Sequence, residues 1–173
     1  GAMPRSFDMG TDYATSVARV HRALSDRQYW LARLAESGAD ETALDRMDVA
    51  DDGGIDVITT QVLRADRLPG VVSQFHRGDL MIRREERWTP VLDSHARAAV
   101  NGSIAGAPVS LAGEAVLVSV ACNDLSRLDF RGTVEVRVPL VGRKLENFIG
   151  NQLIELLVAE QRFTTRWIAG NHE

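Results

Sequence analysis

Residues 128–138 read Leu-Asp-Phe-Arg-Gly-Thr-Val-Glu-Val-Arg-Val, and the register of that run decides the fold. Leu128, Phe130, Val134, Val136 and Val138 fall on one side, while Arg127, Asp129, Arg131, Glu135 and Arg137 fall on the other. Alternation at a period of two describes a strand with one buried face and one wet face. That is the habit of antiparallel sheets, because strands of a parallel sheet covered on both sides are apolar on both. Pro139 and Gly142 end the run, and from Leu145 to Ile168 the pattern becomes that of a long helix with no internal proline and only Gly150 as a weak point.

Working outward toward the amino terminus, strand character recurs at Leu80–Trp88, Ala96–Ile104, Val109–Cys122 and Leu125–Val138. Gly106-Ala107-Pro108 and Asn123-Asp124 separate the later members. Ile55 to Arg64 is rich in β-branched residues, and the turn signal Asp51-Asp52-Gly53-Gly54 folds it back on the weakly alternating Ala43 to Val49 as a hairpin. Leu68-Pro69-Gly70 breaks the pattern, leaving Val71 to Arg77 as a short helical or looped excursion. Further upstream, Val17, Val20, His21 and Leu24 recur at the three-and-four spacing of a buried helical face. Tyr29, Trp30, Ala32, Arg33 and Leu34 continue helical character until Gly38, and Arg5 to Gly10 reads as a short strand. The expected order is one strand, two short helices, six antiparallel strands and a long helix.

Composition bounds what this order does. The chain has 173 residues, 45% apolar and 25% charged, with one cysteine and a net charge of −4. A single domain over residues 4–170 is expected, with Gly1, Ala2 and Met3 read as a tag scar. A chain of this length buries roughly 70% of its unfolded surface and needs no disulfide or metal to fold. The acidic balance lacks the electrostatic footprint of nucleic-acid binding, and no run of about 18 apolar residues suggests integral membrane association. A cytoplasmic location is expected. Among the 20 basic residues only Lys144 is lysine, a bias we attribute to a GC-rich coding sequence rather than to function.

The order of elements resembles the helix-grip architecture of the START-like, plant-allergen-like (SRPBCC) superfamily. Trp88, the run Val138-Pro139-Leu140-Val141-Gly142-Arg143-Lys144-Leu145-Glu146, and Glu160 with Trp167 further on resemble an uncharacterised actinobacterial subfamily, a domain of unknown function. The resemblance implies an α+β fold in which a curved antiparallel sheet of about seven strands wraps around the last helix. It also implies a cavity between them for an apolar or amphipathic small molecule. Members of the superfamily include lipid carriers, polyketide cyclases or aromatases and partner-binding modules, so the fold does not select the function.

Projected at 100° per residue, Leu145, Phe148, Ile149, Leu156, Ala159, Phe163 and Trp167 share a face of the last helix, with Gln152 and Glu160 inside it. Either these two polar residues sit at a rim with their tips in water, or they orient a mostly apolar guest. On the strand Leu80–Trp88, the residues Ile82, Arg84, Glu86 and Trp88 share one side. If Trp88 points inward, Arg84 and Glu86 do too, as an anchor for a polar head or as an ion pair at the sheet's edge. The expected lining is therefore Trp88, Phe130, Val134, Val136, Phe148, Gln152, Leu156 and Glu160, with Arg84 and Glu86 beside it. Phe75 either closes the cavity mouth or joins the core.

The expected activity is binding or carriage of a hydrophobic, lipid-like molecule. Two other readings stand beside it. One is a cyclase or aromatase using Glu160 or Glu86 as general base, recognisable by a carboxylate with a raised pKa. The other is a ligand-free interaction module. Ile154, Leu157, Val158 and Ile168 lie off the helix's main apolar face, where they would pack on the short helices or form a homodimer surface. No catalytic residue is assigned: Asp93-Ser94-His95 spells three triad residue types, but triads are assembled from separate elements. His21, His76, His95 and His172 lack metal-ligand spacing, and Asp48 to Thr59 misses the third and twelfth oxygen ligands of a calcium loop. With no phosphate-cradling glycine loop and no dinucleotide fingerprint, neither a metal nor a cofactor is expected.

Overall fold

The computed structural model describes residues 4–73, 76–121, 124–138 and 142–170. Seven strands form one antiparallel sheet: β1 (Arg5–Tyr13), β2 (Glu41–Val49), β3 (Ile55–Leu63), β4 (Leu80–Trp88), β5 (His95–Ile104), β6 (Val109–Val120) and β7 (Leu125–Val136). Their spatial order is β1-β7-β6-β5-β4-β3-β2, a meander from β2 to β7 onto which β1 adds as the far edge. Two short helices, α1 (Val17–Leu24) and α2 (Arg27–Ala35), follow β1, one turn of helix, α3 (Gly70–Ser73), follows β3, and α4 (Gly142–Gly170) closes the chain. The curved sheet grips α4, which is the α+β helix-grip arrangement expected from the order of elements. Among the described residues, no helix is long and apolar enough to cross a membrane.

Local chemistry sets these boundaries. Ser16 starts α1 by accepting a hydrogen bond from the amide of Arg19 at 3.2 Å, and Asp26 starts α2 by accepting from Gln28 at 2.8 Å. The two helices are locked at their junction, where the Trp30 indole N–H donates to the carbonyl of Leu24 at 2.7 Å. In the β2–β3 turn Gly53 sits at φ +99, and β2 carries a bulge between Leu44 and Arg46 that bends this edge strand. Asp93 and Ser94 both have positive φ, 52° and 61°, between Leu92 and His95, which hydrogen-bond each other. The would-be triad is thus a two-residue hairpin turn of the kind whose handedness suits twisted strands.

The long alternating strand behaves as its sequence requires. Phe130, Val134 and Val136 are buried on the inner face of β7, and Asp129 and Arg131 are exposed on the outer. On the outer face Arg131 pairs with Asp8 at 2.9 Å, across the β1–β7 register. Gly113 and Gly132 face each other across β6 and β7, and the Phe130 ring occupies the space that any side chain there would need. Gly150, the weak point of α4, is buried against the ring of Phe7, which a Cβ would overlap, so the glycine is what allows the helix to approach β1.

The interior divides into two clusters. One gathers Val109, Val134, Val136 and Leu145, with Phe7 and Ile149 packed on them. The other spans α1, α2, the middle of the sheet and the second half of α4, and includes Tyr13, Trp30, Trp88, Leu117, Phe130 and Phe163. Leu153 touches both.

Candidate functional site

Inside the second cluster four charged side chains meet. Arg84 and Glu86 stand two residues apart on the inner face of β4, Arg33 reaches in from α2, and Glu160 comes down from α4. Arg84 binds Glu160 with both guanidinium arms, Nη1 to Oε2 and Nη2 to Oε1, each at 2.8 Å. Its Nη2 also reaches Glu86 Oε2 at 2.9 Å. Arg33 Nη2 donates to Glu160 Oε1 at 2.7 Å and to Glu86 Oε2 at 3.3 Å. The remaining oxygen, Glu86 Oε1, accepts from the Trp88 indole at 3.3 Å. Side-chain exposures of 10%, 12%, 7% and 15% for Arg33, Arg84, Glu86 and Glu160 place all four charges largely out of water. Two cations and two anions leave the box neutral, which is the condition under which buried charge is tolerable.

A directed hydrogen-bond chain ties the box to its neighbours. A guanidinium can only donate, so Arg33 Nη1 donates to the Tyr29 hydroxyl at 3.3 Å. A backbone carbonyl can only accept, so the Thr164 hydroxyl donates to the carbonyl of Glu160 at 2.8 Å. The 2.6 Å contact between them therefore runs from the Tyr29 hydroxyl to Thr164 Oγ1. Arg33 also stacks over Trp30 with its guanidinium carbon 4.6 Å from the ring centroid.

The box fixes protonation states. Burial alone pushes the Glu160 carboxyl up, but the adjacent Arg33 and Arg84 outweigh it and hold the group at about 2. Burial would lower both arginines, and Glu160 and Glu86 more than compensate, so each guanidinium is held above its ordinary value. Tyr13, on the inner face at the end of β1, is pushed up mainly by burial, with Tyr29 adding to it, and stays a neutral phenol.

Beside the box lies a cavity of about 60 Å³. Arg33, Arg84, Glu86, Glu160 and Tyr13 form its polar end, and Met9, Leu111, Phe130, Leu153 and Leu157 are among the residues of its apolar walls. The volume suits a few water molecules and is far below the roughly 300–1,000 Å³ of pockets that enclose a drug-sized ligand. Tyr13 also borders a second pocket of about 180 Å³, formed with Ala14, Thr15, Arg19, Thr165 and Ile168. Tyr13 is thus common to the two spaces.

Of the ten residues expected to line a cavity, Trp88, Phe130, Glu160, Arg84 and Glu86 border this one. The others do not. Val134 and Val136 face inward but belong to the packed cluster at the other end of β7. Phe148 and Leu156 are half-buried away from the cavity, and Gln152 is exposed. The reason is the rotation of α4: Leu153 and Leu157 point inward, each about 100° around the helix from Gln152 and Leu156. Of the residues off the main apolar face, Leu157 lines the cavity, Ile168 is buried in the cluster that includes α1 and α2, and Ile154 and Val158 are half-buried. Phe75, with its gating role, lies outside the described residues, as does the segment 139–141 of the quoted run.

Sequence reasoning missed Arg33, Tyr13, Tyr29 and Thr164. For Arg33 a signal existed: Arg84 cannot neutralise two inward carboxylates, Glu86 and Glu160, so a second buried cation was required.

Comparison with known proteins agrees with this architecture. Over 96–98% of this chain, solved structures of the START-like kind superpose at low sequence identity. A START superfamily protein from Mycobacterium smegmatis matches with a TM-score of 0.56 at 12% identity, over 97% of this chain and 99% of that one. The Zhui aromatase/cyclase from a Streptomyces species matches at 0.57 and 8%, over 97% and 93%. A truncated norcoclaurine synthase from Thalictrum flavum matches at 0.55 and 14%, over 97% and 95%. At such identities the likeness concerns the fold. Nearer in sequence are uncharacterised proteins of Mycobacterium tuberculosis and Mycobacterium bovis, each 50% identical over 173 residues, covering 98% of this chain and 99% of the relative. The family model described as Protein of unknown function (DUF2505) matches residues 8–168, and the chain accordingly belongs to the DUF2505 family, built on a START-like helix-grip fold.

Proposed function

We propose that the protein binds a hydrophobic or amphipathic small molecule in the cytoplasm, in the space between sheet and α4, with the Arg33–Glu86–Arg84–Glu160 box as the polar end of the site. The observation that carries this reading is the juxtaposition itself: an apolar cavity beside four charges that are expensive to bury. A protein needing only a stable core gains little from such a box, because well-packed apolar residues of similar volume are as stabilising or more so. A box that orients a guest justifies that cost. A lipid-sized guest exceeds the volume of about 60 Å³, so its binding requires the interior to open around walls such as Phe130, Leu153 and Leu157.

The general-base alternative finds less support. Glu160, held at about 2, is deprotonated at neutral pH but far too weak a base for proton abstraction there. Both oxygens of Glu86 are occupied by the donors Trp88, Arg33 and Arg84. The ligand-free module reading asks for a fully packed interior, and the cavity speaks against it. A homodimer through Ile154 and Val158 would use what remains of the outer apolar face of α4. Organic extraction of freshly purified protein, together with a Nile red titration, tests the binding reading. A co-purifying apolar molecule, or saturable dye binding that apolar guests displace, supports it; an empty extract and no dye binding overturn it.

A further inference from the structure

The hydrogen-bond inventory of the box says what kind of guest it accepts. Each of the four carboxylate oxygens already receives at least one N–H, from Arg33, Arg84 or Trp88. Two groups at this end of the cavity are left over. Arg84 Nε–H is buried with no acceptor, and the Tyr13 hydroxyl makes no hydrogen bond among the described residues although it sits close enough to Arg33, Glu86 and Glu160 to feel their charges. Both are donors in search of an acceptor. The charges add a second constraint. Two guanidinium groups against two carboxylates leave no net charge, so an ionised guest would bring an uncompensated charge into a largely buried site. A free carboxylate would face Glu86 and Glu160, and an ammonium would face Arg33 and Arg84.

We infer that the guest is an uncharged molecule whose polar end accepts hydrogen bonds, a carbonyl being its minimal form, held by the Tyr13 hydroxyl with Arg84 Nε–H as the second donor once the interior opens, and that free acids and amines are discriminated against. This rests on the small-molecule binding reading above. Tyr13 is well suited to the role for a further reason: it borders both the cavity and the second pocket.

The experiment uses the intact chain and four probes with the same eight-carbon body: octan-2-one, octane, octanoic acid and octylamine. Binding at pH 7 is read from the fluorescence of Trp30 and Trp88, both buried at the site. Octan-2-one is expected to bind, with the acid and the amine weaker than the ketone, and octane, which accepts no hydrogen bond, is the reference for apolar burial alone. Tyr13→Phe keeps the ring and removes a hydroxyl that has no hydrogen-bond partner among the described residues, so the variant should stay folded, and it should weaken ketone binding about tenfold, the equivalent of one net hydrogen bond, while leaving octane binding unchanged. Acid or amine binding as tightly as the ketone, or an unchanged ketone-to-octane ratio in Tyr13→Phe, overturns the inference. Equal binding of all four probes overturns it while leaving the binding reading intact, and failure of every probe overturns both.

Discussion

The two ends of the interior are built from the same elements, β7 and α4, and solve opposite problems. At the end where α4 begins, Val134 and Val136 meet Leu145 and Ile149, and the buried Glu146 accepts the amide of Val136 at 2.9 Å, tying helix to strand. There the glycine at position 150 lets Phe7 close the remaining gap. At the other end, α4 meets the sheet through charges, and a cavity remains beside them. The first end packs apolar side chains around a buried carboxylate, Glu146, held by a backbone amide; the second gathers four charged side chains, each of which depends on the others. The contrast teaches where substitution should unfold the protein and where it should change what it binds.

The largest expected effect comes from unbalancing the box. Glu160→Ala leaves Arg33 and Arg84 facing Glu86 alone, and an uncompensated buried charge costs about 3–5 kcal/mol. Urea denaturation would read this as a lowered midpoint. The double variant Arg84→Met/Glu160→Leu removes one charge of each sign and leaves the Arg33–Glu86 pair, so most of the lost stability should return. If the double variant is as unstable as the single one, packing and not charge balance governs this end. Acid should act in the same direction. The Glu160 carboxyl sits at about 2 in the fold against an ordinary value of 4.5, so its contribution is complete above 4.5 and is lost as the pH falls from there toward 2. Stability measured between pH 5 and pH 2.5 should fall less steeply in the double variant, which has no carboxylate at this position.

Next in size is truncation at the packed end. Val136→Ala removes buried apolar volume with no charge involved, for about 2 kcal/mol, and should leave binding of an apolar dye unchanged because Val136 does not border the cavity. A loss of dye affinity comparable to the loss of stability would mean that the two ends are not separate.

The same contrast governs what the sequence disclosed. The sheet was legible because alternation reports burial directly, and Arg84, Glu86 and Trp88 could be placed on one face of β4 by counting in twos. The box was only half legible. Its strand and α4 members announced themselves as charges on inward faces, but Arg33 sits on α2, a short helix whose side chains point inward only because Trp30 fixes the helix against the end of α1. Tyr13 and Thr164 carry no periodic signal that separates a site residue from ordinary core. The phase of α4 was ambiguous for a different reason. Leu153, Ile154, Leu156, Leu157 and Val158 spread apolar groups over about 200° of the helix, so no narrow stripe dominates the projection.

That ambiguity yields the smallest and sharpest prediction. Gln152 and Leu153 are neighbours, yet the first is exposed and the second touches both clusters. Gln152→Leu should change stability by no more than about 0.5 kcal/mol, as surface substitutions do, and should leave the octan-2-one affinity as it was. Leu153→Gln should lower both, since it places an amide without a partner where the clusters join. Were α4 turned so that Gln152 faced the cavity, the two outcomes would exchange: leucine at 152 would strip a polar contact from the guest, and glutamine at 153 would be harmless. A one-residue difference in position thus reads the rotation of the helix, and with it which side chains the guest can meet.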